Sequence, residues 1–404
     1  MSTRKPATIV TALAVSLMAN QIALLAVPAV IVDLTRAWSL DAAQIGWLGG
    51  IYFAGYAAGL PFLAGAAGRS DGRIVYGLSA VIAAAAALGF ATLAEGFWSG
   101  LVLRFIGGVG FAGIHIVGMK LMADRVTGTA QARAGALYSA AYAIGSGGSF
   151  LIAGPIASAL DWHAAFVTAG IGSLVAIPLV LVIGGPLPGH EVRSTRWLPD
   201  FRGVFSTPET VRYIIAYAGN TWEVFAMRVW FVPLLAFNAG LHADAAHGWN
   251  LSVLAGVSAI IAVPVSIIVA ELGIRCGRER VVRAVSLASV AIAAALGALA
   301  SSGFLIVLAL LMLHGASSYG DAGAINGGLI ASCRPDTRSA ALALFGLLGF
   351  TSGFLGPLAV GFVLQAGGGT SSAAAWLAAF LVVGFGSVVS AGAMSRCGRL
   401  RRGV

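Results

Sequence analysis

The sequence predicts an all-α polytopic membrane protein, with twelve transmembrane helices in two pseudo-symmetric six-helix bundles. Three observations predict it. The 404 residues are 59% hydrophobic and 10% charged, with a mean hydropathy of +0.92, whereas a soluble surface needs roughly a quarter charged residues. Apolar stretches of about 20 residues, enough to cross ~30 Å of hydrocarbon as helix, recur along the whole chain. Arginine and lysine fall on alternate sides of this pattern, which repeats after about 205 residues.

The elements follow in order. Span one, 8–33, starts behind Arg4 and Lys5 and reaches Arg36 on the far side. It resembles a secretory leader, but its apolar run is too long and Asn20-Gln21 interrupts the centre, so a retained first helix is expected. Span two, 43–66, returns to Arg69 and Arg73, and span three, 74–94, crosses again. Span four, 98–122, arrives at Lys120 and Arg125, with Arg133 ahead of span five, 135–159. Span six, 165–185, delivers the chain to a long hydrophilic stretch carrying Arg193, Arg196, Arg202 and Arg212. Spans seven, 211–236, and eight, 250–272, lead to Arg275, Arg278, Arg280 and Arg283 before span nine, 281–300. Span ten, 303–330, ends before Arg334 and Arg338. Spans eleven, 340–365, and twelve, 373–394, finish at Arg396, Arg399, Arg401 and Arg402.

Short cytoplasmic loops collect Lys and Arg. This alternation therefore predicts an even number of spans with both termini cytoplasmic, and only Arg36 falls outside. The net charge of +9 is a matter of topology. Nucleic-acid binding would need a basic face, and none exists apart from the loop clusters. Cys276, Cys333 and Cys397 all fall at predicted cytoplasmic helix ends, where no disulfide framework is expected. Twenty-two arginines against two lysines, with abundant Ala and Gly, point to a bacterial chain and so to the bacterial cytoplasmic (inner) membrane.

The repeat divides the molecule. Pro28 recurs as Pro233 and Gly72-Arg73 as Gly277-Arg278, both at an offset of 205, and Gly154-Pro155 recurs as Gly356-Pro357 at 202. A duplicated six-helix unit follows, with residues 1–186 as one lobe, 187–209 as a cytoplasmic linker and 210–404 as the second lobe. One chain holds both lobes, so a monomer is expected to suffice.

Three segments carry a family resemblance. Gly65-Ala-Ala-Gly-Arg69-Ser-Asp71-Gly72-Arg73 resembles the Gly-x-x-x-Asp-Arg-x-Gly-Arg loop of the major facilitator superfamily. Arg104-Phe-Ile-Gly-Gly108-Val-Gly110 resembles its Arg-x-x-x-Gly-x-Gly motif, and Asp161-Trp162-His163-Ala-Ala-Phe166 its entry to span six. The resemblance implies that fold, with spans one, four, seven and ten lining a central cavity. It also implies an interlobe role for Arg69, Asp71, Gly72 and Arg73. The loop departs from the family pattern, because Arg69 stands where the acid is usual and Asp71 follows two places later. Arg69 could instead meet Asp336.

Charged and polar residues inside a bilayer cost several kcal/mol and are functional candidates by default. They are Asn20 and Gln21 in span one, Arg104 and His115 in span four, Asn220, Glu223 and Arg228 in span seven, and His314 and Asp321 in span ten. His314, Ser318 and Asp321 form one helical stripe, and Asn220, Glu223, Met227 and Trp230 another. A carboxyl at mid-span is costly to ionise unless Arg228 or His314 stands near, so Glu223 is expected to load and release a proton, with Asp321 and Arg104 assisting. The competing expectation is a permanent salt bridge from Glu223 to Arg228 or Arg104. Asn20, Gln21, His115, Asn220, Arg228, His314 and Tyr319 are the candidate substrate contacts. Arg228 is expected to meet an anionic substrate or to neutralise Glu223.

Gly107-Gly108-x-Gly110 lacks the strand and the GK[ST] sequence of a nucleotide loop, and no His-Glu-x-x-His spacing is present. No enzyme, metal or cofactor is expected. Gly154-Pro155 resembles part of a motif carried by the family's antiporters, although Phe150 stands where that motif has Gly. The expected partners are a small-molecule substrate, protons and the lipid bilayer. The expected activity is proton-coupled export by alternating access, with proton-linked uptake of a small organic anion as the alternative. A transporter-like receptor or sensor is the non-transport alternative.

Overall fold

The computed structural model describes residues 6–183 and 200–395. Arg4, Lys5, Arg193, Arg196, Arg396, Arg399, Arg401, Arg402, Cys397 and most of the expected linker lie outside the described residues. Twelve helices among the described residues are long and apolar enough to cross a membrane. In order they are Pro6–Ala23, Ala42–Arg69, Gly72–Leu93, Phe97–Arg125, Arg133–Ala159, Trp162–Leu181, Pro208–Leu241, Leu251–Cys276, Arg278–Ala298, Phe304–Ser332, Arg338–Ala366 and Ala373–Ser395, numbered spans one to twelve below.

The chain separates into two compact units, Met1–Trp38 with Ile51–Leu198, and Ser39–Gly50 with Pro199–Val404. This differs from a simple division at the linker in one place. Residues 39–50 group with the C-terminal unit, where the Ala42 amide donates to Gln365 Oε1 at 3.1 Å and Gly46 lies against the Pro357 and Gly361 backbone.

Caps start several spans. Asp71 stands at an extended backbone position and accepts from the Arg73 amide ahead of span three, and Asp161 does the same for Ala164 at span six. Asn250 accepts from the Ser252 and Val253 amides at span eight, and Pro208 occupies the first turn of span seven. The pair Gly72 and Gly277 shares a repeat position but not a job. Gly277 joins spans eight and nine at φ +94°, a conformation open to glycine, whereas Gly72 is the first residue of a helix already capped by Asp71.

Two spans are broken. The first runs as Pro6–Asn20, tightens into a 3-10 turn at Gln21–Ala23, and resumes at Ala26–Ala29 and Ile31–Trp38. The tenth stops at Gly320 and restarts at Ala322, with Asp321 between the halves. Pro233, the repeat partner of Pro28, lies inside an unbroken helix.

Small residues bring helices together, as in membrane bundles generally. In the first unit, a side chain at Gly108 would collide with the Tyr52 carbonyl, and one at Gly110 would lie 2.6 Å from the Ala83 nitrogen. In the second, Gly219 of span seven meets Gly386 of span twelve backbone to backbone. Neither carries a side chain to hold the two helices apart.

Candidate functional site

The Gly219–Gly386 contact sets one wall of a polar cluster inside the C-terminal unit. One turn beyond it, Glu223 of span seven is completely buried. Its Oε1 accepts from Ser289 Oγ of span nine at 2.8 Å and lies 2.9 Å from His314 Nε2 of span ten. Its Oε2 accepts from Ser387 Oγ of span twelve. Ser289 Oγ also lies 3.0 Å from Ser317 Oγ.

A second carboxyl lies close by. Asp321, at the break in span ten, is 3% exposed. Its Oδ1 accepts from Asn220 Nδ2 at 2.7 Å and its Oδ2 from Ser286 Oγ at 3.0 Å. The same Asn220 amide donates to the Ser318 carbonyl at 2.7 Å, a group the broken helix leaves without its usual intrahelical donor. Ser286 Oγ also lies 3.3 Å from Ser390 Oγ of span twelve. Asn220 with Glu223, Ser286 with Ser289, and Ser387 with Ser390 each stand three residues apart, so each pair shares a helix face. The result is two polar layers across spans seven, nine, ten and twelve.

The structure thus brings Glu223, His314, Asn220 and Asp321 together in one unit. The imidazole of His314, one of the groups expected beside Glu223, lies 2.9 Å from its carboxylate. Arg228 lies five residues further along span seven, where its guanidinium is 5.5 Å from the Tyr319 ring centre and 5.8 Å from that of Phe225. Five serines of the cluster, Ser286, Ser289, Ser317, Ser387 and Ser390, were not among the sequence candidates. The signal for four of them was the three-residue pairing on spans nine and twelve, and serine in a membrane helix more often bonds its own backbone.

In the N-terminal unit the candidates do different things. Arg104, 3% exposed, donates to the Ala23 carbonyl at 2.5 Å and the Leu24 carbonyl at 2.9 Å, both released by the break in span one. Its guanidinium lies 4.3 Å from the centre of the Tyr52 ring. Ser149 of span five completes the repair, donating to the Ile22 carbonyl at 2.7 Å and accepting from the Leu25 amide at 3.1 Å. Gln21 Nε2 reaches the Ala141 carbonyl at 3.4 Å, and Asn20 turns back to Ser16 in its own helix. His115 Nδ1 lies 2.7 Å from the Tyr56 hydroxyl, and its ring stacks on Tyr142 at 4.7 Å.

The loop candidates act locally. Asp71 pairs with Arg73 at 2.5 Å, and these hydrogen bonds hold its carboxyl below the ordinary value of 3.8. Arg69 is the last residue of the span-two helix. Asp336 is paired with Arg334 at 3.2 Å.

Two sets of membrane-spanning helices, each with buried polar residues, define a polytopic membrane protein. The Major Facilitator Superfamily profile matches residues 9–272, and the chain belongs to that family. Among solved structures it resembles a bacterial homologue of the human lysosomal transporter Spinster in an inward-facing, occupied conformation. That match has a TM-score of 0.75 and 18% identity over 97% of this chain and 96% of the other. The nucleoside transporter NupG is similar at a TM-score of 0.74 and 15% identity, over 96% and 98% of the two chains. Among curated proteins, protein spinster homolog 1 of Homo sapiens is 27% identical over 34% of this chain and 28% of its own. The niacin transporter NiaP of Acinetobacter baylyi is 28% identical over 38% and 34%. The match therefore spans about a third of the length of these curated relatives.

Proposed function

We propose that the chain is a secondary active transporter of a bacterial cytoplasmic membrane that moves a small organic molecule by alternating access, coupled to protons at Glu223. The observation that carries this reading is the company Glu223 keeps. A carboxylate locked into an arginine fork stays ionised through a cycle. One that meets two hydroxyls and an imidazole can take a proton without leaving a buried cation unpaired. The direction adopted is export in exchange for protons, on the Gly154-Pro155 pair inside span five. Proton-linked uptake of a small organic anion is the second reading, supported by Arg228 beside the Tyr319 ring and by a relative named as a niacin transporter.

Purified protein in liposomes loaded with a pH-sensitive dye tests the reading. Substrate pools of organic anions, cations and neutral metabolites should include one that moves protons with it. Glu223→Gln should lower pH-driven flux by at least about tenfold, equivalent to ~1.4 kcal/mol, while exchange of labelled for unlabelled substrate continues. Wild-type pH-driven accumulation by that variant would remove Glu223 from the mechanism. The sign of the dye response separates export from uptake.

A further inference from the structure

Two acids are buried in the C-terminal unit where the proposed coupling needs one. Glu223 meets His314, Ser289 and Ser387, and Asp321 meets Asn220 and Ser286. Among the described residues, His314 is the titratable side chain in contact with Glu223. His314 Nδ1 has no hydrogen-bond partner among the described residues, and the Phe380 ring stands edge-on to the imidazole. Two carboxyl groups therefore share one imidazole among the described side chains that touch them. Ionising both in a membrane interior costs far more than leaving a proton on one of them.

The hydroxyls supply a route between them. Ser289 touches Glu223, and Ser286, one turn away on the same helix, touches Asp321. Ser387 touches Glu223, and Ser390, one turn away on its helix, touches Ser286. The longest step on either side is that single turn, about 5–6 Å between Cβ atoms, which one intervening water molecule spans. Resting on the proton-coupled reading above, we infer that Glu223 and Asp321 are two stations of one proton path, and that the serine pairs of spans nine and twelve are its relay. The transfer balances simply. The O–H bond on Glu223 breaks, each hydroxyl on the way accepts one proton as it gives up another, and an O–H bond forms on Asp321. The serines are neutral before and after, and no electron moves.

The test compares pH-driven flux with substrate exchange in liposomes for Ser286→Ala/Ser390→Ala, Asp321→Asn and Glu223→Gln in the full-length protein. The relay predicts that the double serine variant and Asp321→Asn lose pH-driven flux by about tenfold and keep exchange near wild type. Ser286→Thr/Ser390→Thr, which retains the hydroxyls, should recover the flux. Should the alanine pair fail to fold, the wild-type protein decides the matter in heavy water. There pH-driven flux should slow more than exchange, and equal slowing overturns the relay. Loss in Glu223→Gln with full flux in Asp321→Asn and the serine pair overturns the relay and leaves the coupling intact. Full flux in Glu223→Gln overturns the coupling itself. Flux that follows a sodium gradient without any pH requirement makes the acids a cation site and also overturns the relay.

Discussion

At the scale of single residues, the buried charges differ in how far they are free to change. Glu223 is surrounded by groups that adapt, since each hydroxyl rotates and a neutral imidazole can carry its one N–H on either nitrogen. Arg104 is committed, because its two terminal nitrogens serve two carbonyls while its plane lies on the Tyr52 ring. A lysine would keep the charge but not the planar fork. Arg104→Lys should cost ~1–3 kcal/mol through a carbonyl left without a donor, read as a lower thermal unfolding temperature in detergent. Asp71 gives a pH-dependent counterpart outside the membrane. Arg73 holds its carboxyl below the ordinary 3.8, so its stabilisation is complete above that value and is lost as pH falls through the lowered one. Asp71→Asn retains the cap and loses the ion pair, so it should cost under about 1 kcal/mol at neutral pH. The gap to wild type should close in strong acid, and a gap that widened there would contradict the sign.

At the scale of elements, glycine contacts decide which helices carry the cluster. A methyl group at Gly386 would press on the Gly219 carbonyl and lie 3.1 Å from the Glu223 nitrogen. Gly386→Ala should therefore move Ser387 off the carboxylate, destabilise by ~1–3 kcal/mol and reduce pH-driven flux, all measurable on one preparation. Helical spacing in the sequence already grouped His314, Ser318 and Asp321, and separately Asn220 and Glu223, because those stripes stand out against apolar neighbours. It offered His314 as well as Arg228 as a neighbour for Glu223 without deciding between them, and it did not bring Asn220 to Asp321. Charge attracts attention in a sequence, whereas the serines that meet Glu223 look like any small residue of a membrane helix. The breaks were legible only in part. Asn20-Gln21 interrupts an apolar run, so the turn at Gln21–Ala23 had a visible cause. The stop at Gly320 had none, since glycine is common in every span here and Asp321 reads as a point charge rather than a helix end.

At the scale of the whole molecule, twelve spans, the compositional class and the family follow from long-range patterns that no single residue carries. Cysteine labelling tests the proposed sidedness. Cys276 is exposed at the end of span eight, and burial pushes the Cys333 thiol up, which slows its reaction because the thiolate is the nucleophile. An impermeant thiol reagent should label Cys276 in inside-out vesicles and spare it in right-side-out ones, and the reverse pattern would invert the topology. The meeting of Gly219 and Gly386 has a mechanical consequence as well. Two bare backbones in contact form a smooth seam without interlocking knobs, so the helices can glide along it in small increments but cannot part without opening a void. Separation of span twelve from span seven is thereby resisted, which keeps Ser387 close to Glu223. The acid keeps its hydroxyl escort through any rearrangement that this seam survives.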